Sequence, residues 1–167
     1  MQDEVPWDHF RRVLLLALDV DGVLTDGGLY YTESGEEIKR FDVTDGYGLQ
    51  CVLAVGVQVA WITGGRSKCV LHRAERLGIK HVEVDVQDKL AAMQRVSERL
   101  RVPLSEVAYV GDDLPDLPAL QAVGCPVAVA NGMPLVRETA LYVTRRPGGS
   151  GAVREICDFL HAARTVV

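Results

Sequence analysis

The chain has 167 residues, of which 48% are hydrophobic and 25% charged, and its formal net charge is −5. This length and composition predict a soluble globular protein with room for a core, and the acidic balance disfavours general nucleic-acid binding, which needs a basic surface. No apolar stretch approaches the roughly 20 residues that cross a bilayer. The first residues are acidic and contain no signal-peptide core, so we expect a cytoplasmic protein that binds neither membranes nor nucleic acid.

Short apolar runs alternate with helical patterns along the chain, which predicts a doubly wound, Rossmann-like α/β fold with a parallel sheet. The run VAYVG is apolar throughout, as in a strand covered on both faces, whereas Leu90, Met93 and Val96 recur at helical spacing. The predicted strands span residues 13–18, 57–63, 81–84, 107–111, 127–130 and 141–144. The predicted helices span residues 48–55, 67–77, 89–100, 117–122, 134–139 and 152–163.

Residues 28–43 (GLYYTESGEEIKRFDV) interrupt this alternation. A Ser-Gly turn separates two β-prone flanks, 29–32 and 38–43, which predicts a β-hairpin flap inserted after the first strand. No other segment is long enough for a second domain, so we expect one domain over residues 1–167. The four cysteines are scattered without a C-x-x-C pair, which favours small buried residues over disulfides or a zinc site.

Polar residues follow four of the predicted strands. The first strand ends on two aspartates, Asp19 and Asp21, one residue apart. The others are followed by Thr63 and Gly64, by Lys89, and by Asp112, Asp113 and Asp116. Because ligands bind at the carboxyl ends of the strands in open α/β sheets, we expect these residues to converge on one crevice.

The residue types in that crevice predict phosphoryl chemistry with magnesium. Mg²⁺ prefers oxygen ligands and commonly binds one or two carboxylates with phosphate and water, which Asp19 and Asp112 would satisfy while the cation offsets their repulsion. Thr63, the N–H groups around Gly64, and Lys89 are donors that match phosphoryl oxygens. One aspartate can attack phosphorus, and a second acid can protonate the leaving oxygen and later activate water.

Four motifs in order resemble the haloacid dehalogenase superfamily of phosphohydrolases: D-x-D-G-V-x-T-D, I-T-G, the Lys89 position and G-D-D-x-x-D. Longer stretches, FDVTDGYGL and VAYVGDDLPDLP among them, are similar to phosphatases of 3-deoxy-D-manno-octulosonate (KDO) 8-phosphate and their KDN 9-phosphate relatives. The resemblance covers about residues 15–160. It implies a Mg²⁺-dependent phosphatase without a cap domain, acting on a phosphorylated 2-keto-3-deoxy sugar acid through an aspartyl-phosphate. KDO 8-phosphate is the first expectation, which implies a place in lipopolysaccharide precursor synthesis.

The resemblance also implies roles for the five aspartates. Asp19 is the nucleophile and a metal ligand, Asp21 is the general acid/base whose backbone carbonyl contacts the metal, and Asp112 is the remaining protein ligand. Asp113 and Asp116 orient the groups that touch the metal. Taken alone, Asp113 fits a helix N-cap equally well, and Asp116 fits an acid favoured by the helix dipole.

For the substrate, the resemblance implies that Thr63, the Gly64 N–H and Lys89 bind the phosphoryl group. KDO 8-phosphate phosphatases usually carry arginine directly after T-G, and the KDN 9-phosphate relatives carry glutamate. Here that position is Gly65, followed by Arg66, which either substitutes from one residue along or accompanies a changed pocket.

Two arginines on the next predicted helix are further candidates for substrate binding. Arg73 and Arg76 are three residues apart and so share a face. Arg73 matches an arginine in both sets of relatives, and a planar guanidinium suits a sugar carboxylate. The same pair also fits an ordinary solvated helix face.

The resemblance further implies a homotetramer in which the flap hairpins meet at the centre. A neighbour's C-terminal segment, about residues 145–167, then helps to close each site. The glycine run 148–151 with Arg145, Arg146 and Arg154 matches that segment.

Three other functions remain to be weighed against this one. A phosphatase of KDN 9-phosphate or N-acylneuraminate 9-phosphate stays open because of Gly65. A phospho-accepting receiver domain has its acceptor on the third strand and its lysine late, which is the wrong order for this chain. A non-catalytic oligomerisation domain would have lost catalytic residues that are present here.

Overall fold

The computed structural model describes residues 5–165 and consists of a parallel sheet with helices on both faces. The strands are β1 (Leu15–Leu18), β2 (Tyr30–Tyr31), β3 (Glu37–Ile38), β4 (Gln58–Ile62), β5 (His81–Glu83), β6 (Val107–Gly111), β7 (Cys125–Ala128) and β8 (Tyr142–Val143). The helices are α1 (Trp7–Phe10), α2 (Val43–Ala54), α3 (Lys68–Leu77), α4 (Lys89–Leu100), α5 (Leu117–Ala122), α6 (Pro134–Thr139) and α7 (Ala152–Thr165). Two 3₁₀ turns, Leu104–Glu106 and Leu114–Asp116, complete the regular structure.

Six strands form one sheet in the order β5-β4-β1-β6-β7-β8, and every neighbouring pair is parallel. β1 lies between β4 and β6, so the winding of the chain reverses at its carboxyl end. This is the position at which open α/β sheets bind ligands. The predicted doubly wound, Rossmann-like fold is confirmed.

β1 is buried on both faces, which explains its uninterrupted apolar sequence. Leu16 and Leu18 belong to the cluster under α2 and α7, whereas Leu15 and Ala17 belong to the cluster under α4 and α5. Burial of each such side chain contributes about 1.5–3 kcal/mol. The strand that carries the first acidic pair is therefore held rigidly from both sides.

The predicted flap is present as an antiparallel hairpin, in which Tyr30 pairs with Ile38. Its strands are shorter than expected, since the predicted flank 38–43 does not form a strand. Asp42 instead caps α2 by accepting hydrogen bonds from the Thr44 and Asp45 N–H groups. The helix therefore begins at Val43, earlier than the predicted start at residue 48. Between β1 and β4 the described chain holds this hairpin and α2, with no cap domain.

Other differences from the predictions are small. The four-residue helix α1 was not predicted, because one turn is too short for periodicity; it is anchored by Phe10, which packs against Tyr142 and Phe159. All four cysteines are free, and Cys125 and Cys157 are buried as expected, while the other two are half-buried. None of the helices within residues 5–165 has the length and apolarity that a membrane crossing requires.

The DGYG sequence at the start of α2 is a packing motif. Asp45 is 1% exposed, and its Oδ1 accepts a 2.7 Å bond from the Arg154 N–H in the first turn of α7. A Cβ on Gly48 would lie 2.9 Å from side-chain atoms of Arg154 and Cys157, and a Cβ on Gly46 would overlap a guanidinium of α3. The carboxylate therefore caps a neighbouring helix, and the two glycines let both helices approach.

We expect the buried Asp45 carboxylate to make stability depend on pH. Burial raises the pKa of Asp45 to about 6, so the folded chain holds a proton between about pH 4 and 6 that the unfolded chain has lost. Stability therefore falls as pH rises through that window. Asp45→Asn removes this dependence while keeping an acceptor for the Arg154 N–H. Between pH 4 and 7, the free energy of unfolding of the variant should therefore rise by about 2 kcal/mol relative to that of the wild type, measured by urea unfolding.

Asp42→Asn is the matched control. The Thr44 hydroxyl bond lowers the pKa of Asp42, so this substitution should cost stability at neutral pH. That cost should disappear only as the solution is acidified through the lowered pKa of Asp42. If the free energies of unfolding of Asp45→Asn and the wild type differ by the same amount at every pH from 4 to 7, Asp45 is not the source of the pH dependence.

Candidate active site

The carboxyl ends of β1, β4 and β6 open into a cavity of about 450 Å³. Polar side chains and glycines from all three strand ends line it, together with the start of α4. The predicted site residues among them are Asp19, Asp21, Thr63, Gly64, Lys89, Asp112 and Asp113. The convergence expected from parallel strands is therefore present.

Lys89 bridges two carboxylates at the floor of the cavity. Its Nζ lies 2.9 Å from Asp19 Oδ1 and 2.7 Å from Asp116 Oδ1. Asp19 is 5% exposed, and burial, with repulsion from Asp116, raises its pKa well above the usual value despite the nearby Lys89. Burial alone would lower the pKa of Lys89, but the two carboxylates outweigh it and raise that pKa. Lys89 is therefore a fixed cation beside the predicted nucleophile.

Asp116 is fully occupied by hydrogen bonds. Its Oδ1 accepts from Lys89 and from the Tyr109 hydroxyl at 2.8 Å, and its Oδ2 accepts from the N–H groups of Asp112 at 3.0 Å and Asp113 at 3.2 Å. A Cβ on Gly111 would lie 2.5 Å from the Asp116 Cβ, which explains the glycine before the two aspartates. Asp116 therefore holds the lysine and the Asp112 loop in place.

The remaining oxygens suit a divalent cation. Carboxylate oxygens of Asp19, Asp112 and Asp116 lie within 4.8 Å of one another, but Asp116 has no free acceptor capacity. Asp112 Oδ1 is buried without a hydrogen-bond partner among residues 5–165, and burial, with repulsion from Asp116, raises the pKa of Asp112 to about 6. A cation between Asp19 and Asp112 would satisfy that oxygen and offset the charge. The predicted ligation through the Asp21 carbonyl stays a prediction.

The loop after β4 presents hydrogen-bond donors to the same cavity. Thr63 is buried, and its Oγ1 accepts a 3.0 Å bond from the Gly65 N–H, which leaves its hydroxyl proton free to donate. The loop is fixed by backbone bonds from Asp85 to Gly65 and from Val86 to Thr63. A Cβ on Gly65 would lie 3.3 Å from Asp21 Oδ2. The residue at position 65 thus borders the cavity directly beside Asp21.

Lys39 was missed by the sequence reasoning. It lies just after the short strand β3 of the hairpin, and its Nζ contacts Asp21 Oδ1 at 2.5 Å and Glu37 Oε1 at 2.9 Å. Its side chain is 3% exposed. Burial would lower the pKa of Lys39, but the bonds to the two carboxylates raise it above the usual value. Nothing in the local sequence distinguishes this lysine from a surface residue of a charged hairpin.

The predicted substrate-binding arginines lie outside the cavity. Arg66 forms a 2.8 Å ion pair with Asp85, and its side chain is 78% exposed. Arg73 packs against Gly46 of α2, and Arg76 is exposed on α3. Within one chain these residues do not meet the cavity, and their contact with substrate stays a prediction.

The glycine run before α7 supports the catalytic loop of its own chain. A Cβ on Gly148 would overlap the Gly22 carbonyl, and the Gly149 N–H donates to the Val23 carbonyl at 3.0 Å. Arg40 of the flap donates to the Gly149 carbonyl at 2.9 Å. These contacts lie within one chain, and the role of the segment in a neighbour's site stays a prediction. Arg145, Arg146 and Arg154 line another open cavity, of about 520 Å³, near the start of α7.

Comparison with known proteins gives consistent matches over most of the chain. Residues 78–156 match the haloacid dehalogenase-like hydrolase family. The 3-deoxy-D-manno-octulosonate 8-phosphate phosphatase KdsC of Escherichia coli K12 is 49% identical over 154 residues, which are 92% of this chain and 82% of that protein.

Two solved structures illustrate the structural similarity. The phosphatase of the same name from Moraxella catarrhalis, in complex with magnesium ion, phosphate ion and KDO, is 42% identical with a TM-score of 0.92, over 95% of this chain and 91% of that one. The cobalt-bound Haemophilus influenzae phosphatase is 36% identical with a TM-score of 0.90, over 93% of this chain and 91% of that one.

Gly22 offers a test of the cation site. It has a φ of +88°, and a Cβ there would overlap the Asp112 carboxylate, whereas Gly56 has a φ of +86° with nothing within 4 Å. In both Gly22→Ala and Gly56→Ala, the free energy of unfolding should fall by about 1–2 kcal/mol, because an alanine is strained in the left-handed backbone region. Mg²⁺ should raise the unfolding temperature of the wild type and of Gly56→Ala but not of Gly22→Ala, measured by calorimetry. A full Mg²⁺ response in Gly22→Ala would rule out Asp112 as a ligand.

Proposed function

The chain belongs to the haloacid dehalogenase-like hydrolases and, within them, to the KDO 8-phosphate phosphatases, and from that membership we propose that it hydrolyses KDO 8-phosphate to KDO and inorganic phosphate. The observation that carries the chemistry is the Asp19 carboxylate, held by Lys89 across a cavity from Asp21. An attacking group, a proton-transfer group and a fixed cation are the parts that hydrolysis of a phosphate ester requires.

The reaction proceeds in two displacements. A carboxylate oxygen of Asp19 attacks phosphorus, the bond from phosphorus to the sugar oxygen breaks, and Asp21 gives its proton to that oxygen. Asp21 then takes a proton from water, whose oxygen attacks the aspartyl-phosphate and releases phosphate with Asp19 restored. Thr63, the Gly64 N–H and Lys89 hold the phosphoryl oxygens throughout.

The cofactor is Mg²⁺, which Asp19 and Asp112 hold. It supplies positive charge that lets an anionic nucleophile approach an anionic phosphate ester. Asp113 and Asp116 support this arrangement: Asp113 caps the following turn through the Leu114 N–H at 2.7 Å, and Asp116 anchors the loop. Asp19 and Asp116 are buried, which strengthens the electrostatic effect of the site on a bound phosphate.

The identity of the sugar acid rests on similarity and on one departure. The Moraxella relative binds KDO, as its name states. Gly65 has no side chain beside Asp21, so recognition of the sugar carboxylate falls to Arg66, to Arg73 and Arg76, or to arginines of a neighbour's C-terminal segment. The nine-carbon 9-phosphates of KDN and N-acylneuraminate are the second candidate substrates, because the same open position would admit them.

We also propose that the chain forms a homo-oligomer, with a tetramer as the first expectation. The hairpin and the start of α2 expose large apolar side chains in one region: Leu29, Tyr30, Tyr31, Ile38, Val43 and Tyr47. Val43 is 77% exposed, which is unusual for a valine at the edge of a packed helix. Contact between flaps would bury these side chains and would bring a neighbour's C-terminal segment towards the cavity. The reaction is proposed to occur in the cytoplasm, in lipopolysaccharide precursor synthesis.

Phosphate release with Mg²⁺ should be fastest for KDO 8-phosphate in a panel that includes KDN 9-phosphate, N-acetylneuraminate 9-phosphate and p-nitrophenyl phosphate. The measured quantity is kcat/KM for each ester, because it compares transition-state binding directly. Gly65→Arg tests the open position, and it should raise kcat/KM for KDO 8-phosphate if a guanidinium there adds a carboxylate contact. If the wild type hydrolyses a nine-carbon 9-phosphate faster than KDO 8-phosphate, that nine-carbon ester is the substrate and the first assignment is wrong.

Asp19→Asn should lower the rate of phosphate release by at least about 10³-fold, because an amide oxygen is a poor nucleophile. The oligomeric state by sedimentation equilibrium should not change, since Asp19 is 5% exposed and contributes almost no surface to an interface. Retained hydrolysis in Asp19→Asn would contradict the nucleophile. Loss of assembly with the loss of activity would instead favour a structural role for Asp19.

A further inference from the structure

Lys39, a buried lysine of the flap, binds Asp21, the predicted proton-transfer residue. Lys39 Nζ lies 2.5 Å from Asp21 Oδ1, although both strands of the hairpin and its turn lie between the two residues in the chain. The same nitrogen donates to Glu37 Oε1 at 2.9 Å. Two carboxylates, one from the loop after β1 and one from β3, therefore hold the ammonium group in place.

The contact gives the two carboxylate oxygens of Asp21 different surroundings. Lys39 takes Oδ1, while Oδ2 faces the loop after β4, where a Cβ on Gly65 would lie 3.3 Å away. That loop also carries Thr63 and Gly64 of the phosphoryl-binding edge. Oδ2 is thus the oxygen that faces the cavity, and fixing Oδ1 determines its direction.

An ion pair that served stability alone would not need this position. Exposed pairs contribute about 0–1 kcal/mol, and burying an ammonium group costs several kcal/mol unless its partners are well placed. The Lys39 side chain is 3% exposed, whereas the Asp21 side chain is 37% exposed. The protein thus buries nearly all of the lysine side chain and leaves its carboxylate partner partly exposed, which suits the orientation of a reacting group.

We propose that Lys39 is a positioning residue, which holds Asp21 Oδ1 so that Oδ2 faces the leaving oxygen of the substrate. The proposal rests on the proposed function, since it needs Asp21 to transfer the proton. When the bond from phosphorus to oxygen breaks, the proton moves from Asp21 Oδ2 to the sugar oxygen, and Lys39 keeps its own protons.

Lys39→Met tests this assignment, because it removes the ammonium and keeps the length of the side chain. The expected result is a fall of about 10- to 100-fold in kcat/KM for KDO 8-phosphate, since misplacing a reacting group costs rates of this order. For p-nitrophenyl phosphate the fall should be small, because p-nitrophenolate leaves without a proton. An equal fall for both esters would overturn the proposal, since Lys39 would then act on the phosphoryl group or on the fold.

A second comparison uses Asp21→Asn as the background. If Lys39 acts through Asp21, adding Lys39→Met to Asp21→Asn should change kcat/KM little further. A further tenfold or larger fall in the double variant would overturn the proposal. Any sugar phosphate that the wild type hydrolyses serves here, so the comparison remains decisive even where the wild type cleaves KDN 9-phosphate and not KDO 8-phosphate. In that case the proposed substrate fails and the Lys39 proposal is tested separately.

Two variants control for folding. Glu37→Gln leaves Lys39 in place and removes the negative charge of its second acceptor, so kcat/KM should again fall more for the sugar ester than for p-nitrophenyl phosphate, by a smaller factor than in Lys39→Met. Lys80→Met makes the same chemical change at an exposed lysine before β5, at the opposite end of the sheet, and should leave both rates unchanged. If Lys39→Met unfolds, Glu37→Gln decides: an equal fall for both esters in that variant would overturn the proposal.

Discussion

The repulsion among carboxylates at the end of β1 is the constraint on which the rest of this structure depends. Asp19, Asp112 and Asp116 bring three negative charges within 4.8 Å in a buried place. Four hydrogen bonds, one of them from Lys89, satisfy both carboxylate oxygens of Asp116, which leaves Asp19 and Asp112 as the candidate ligands of a cation. The proposed chemistry follows from this division: Asp116 is the scaffold, Asp112 is a metal ligand, and Asp19 is both metal ligand and nucleophile.

Glycines make that crowding possible. Gly22 admits the Asp112 carboxylate, Gly111 admits Asp116, and Gly148 lets the segment before α7 lie against the catalytic loop. Each position is one where an added Cβ would overlap a functional or backbone atom. The glycines around the site thus reflect close approach of one part of the chain to another, and the loop that carries Asp21 is supported from behind by residues distant in sequence.

The flap connects the catalytic centre to the surface. Lys39 and Arg40 attach its returning strand to Asp21 and to the Gly149 carbonyl, while the outer face of the hairpin carries exposed apolar side chains such as Tyr31. An oligomer built through that face would also order the segment that holds Asp21. Assembly and proton transfer would then share one structural element, which fits a chain that has no cap domain to close its site.

The sequence by itself determined the fold class and the convergence of the predicted reacting groups on one cavity. Alternating apolar runs predict the parallel sheet, and because parallel strands end at one edge, Asp19, Thr63 and Asp112 had to meet. A local rule also identified Asp113 as an N-cap, whereas the Asp42 cap that begins α2 was overlooked. Only the tertiary structure decided that Asp116 is saturated by hydrogen bonds and that Lys39 reaches Asp21. Those contacts join side chains across different elements, and a single pair of distant residues leaves no periodicity or spacing in the sequence by which it could be predicted.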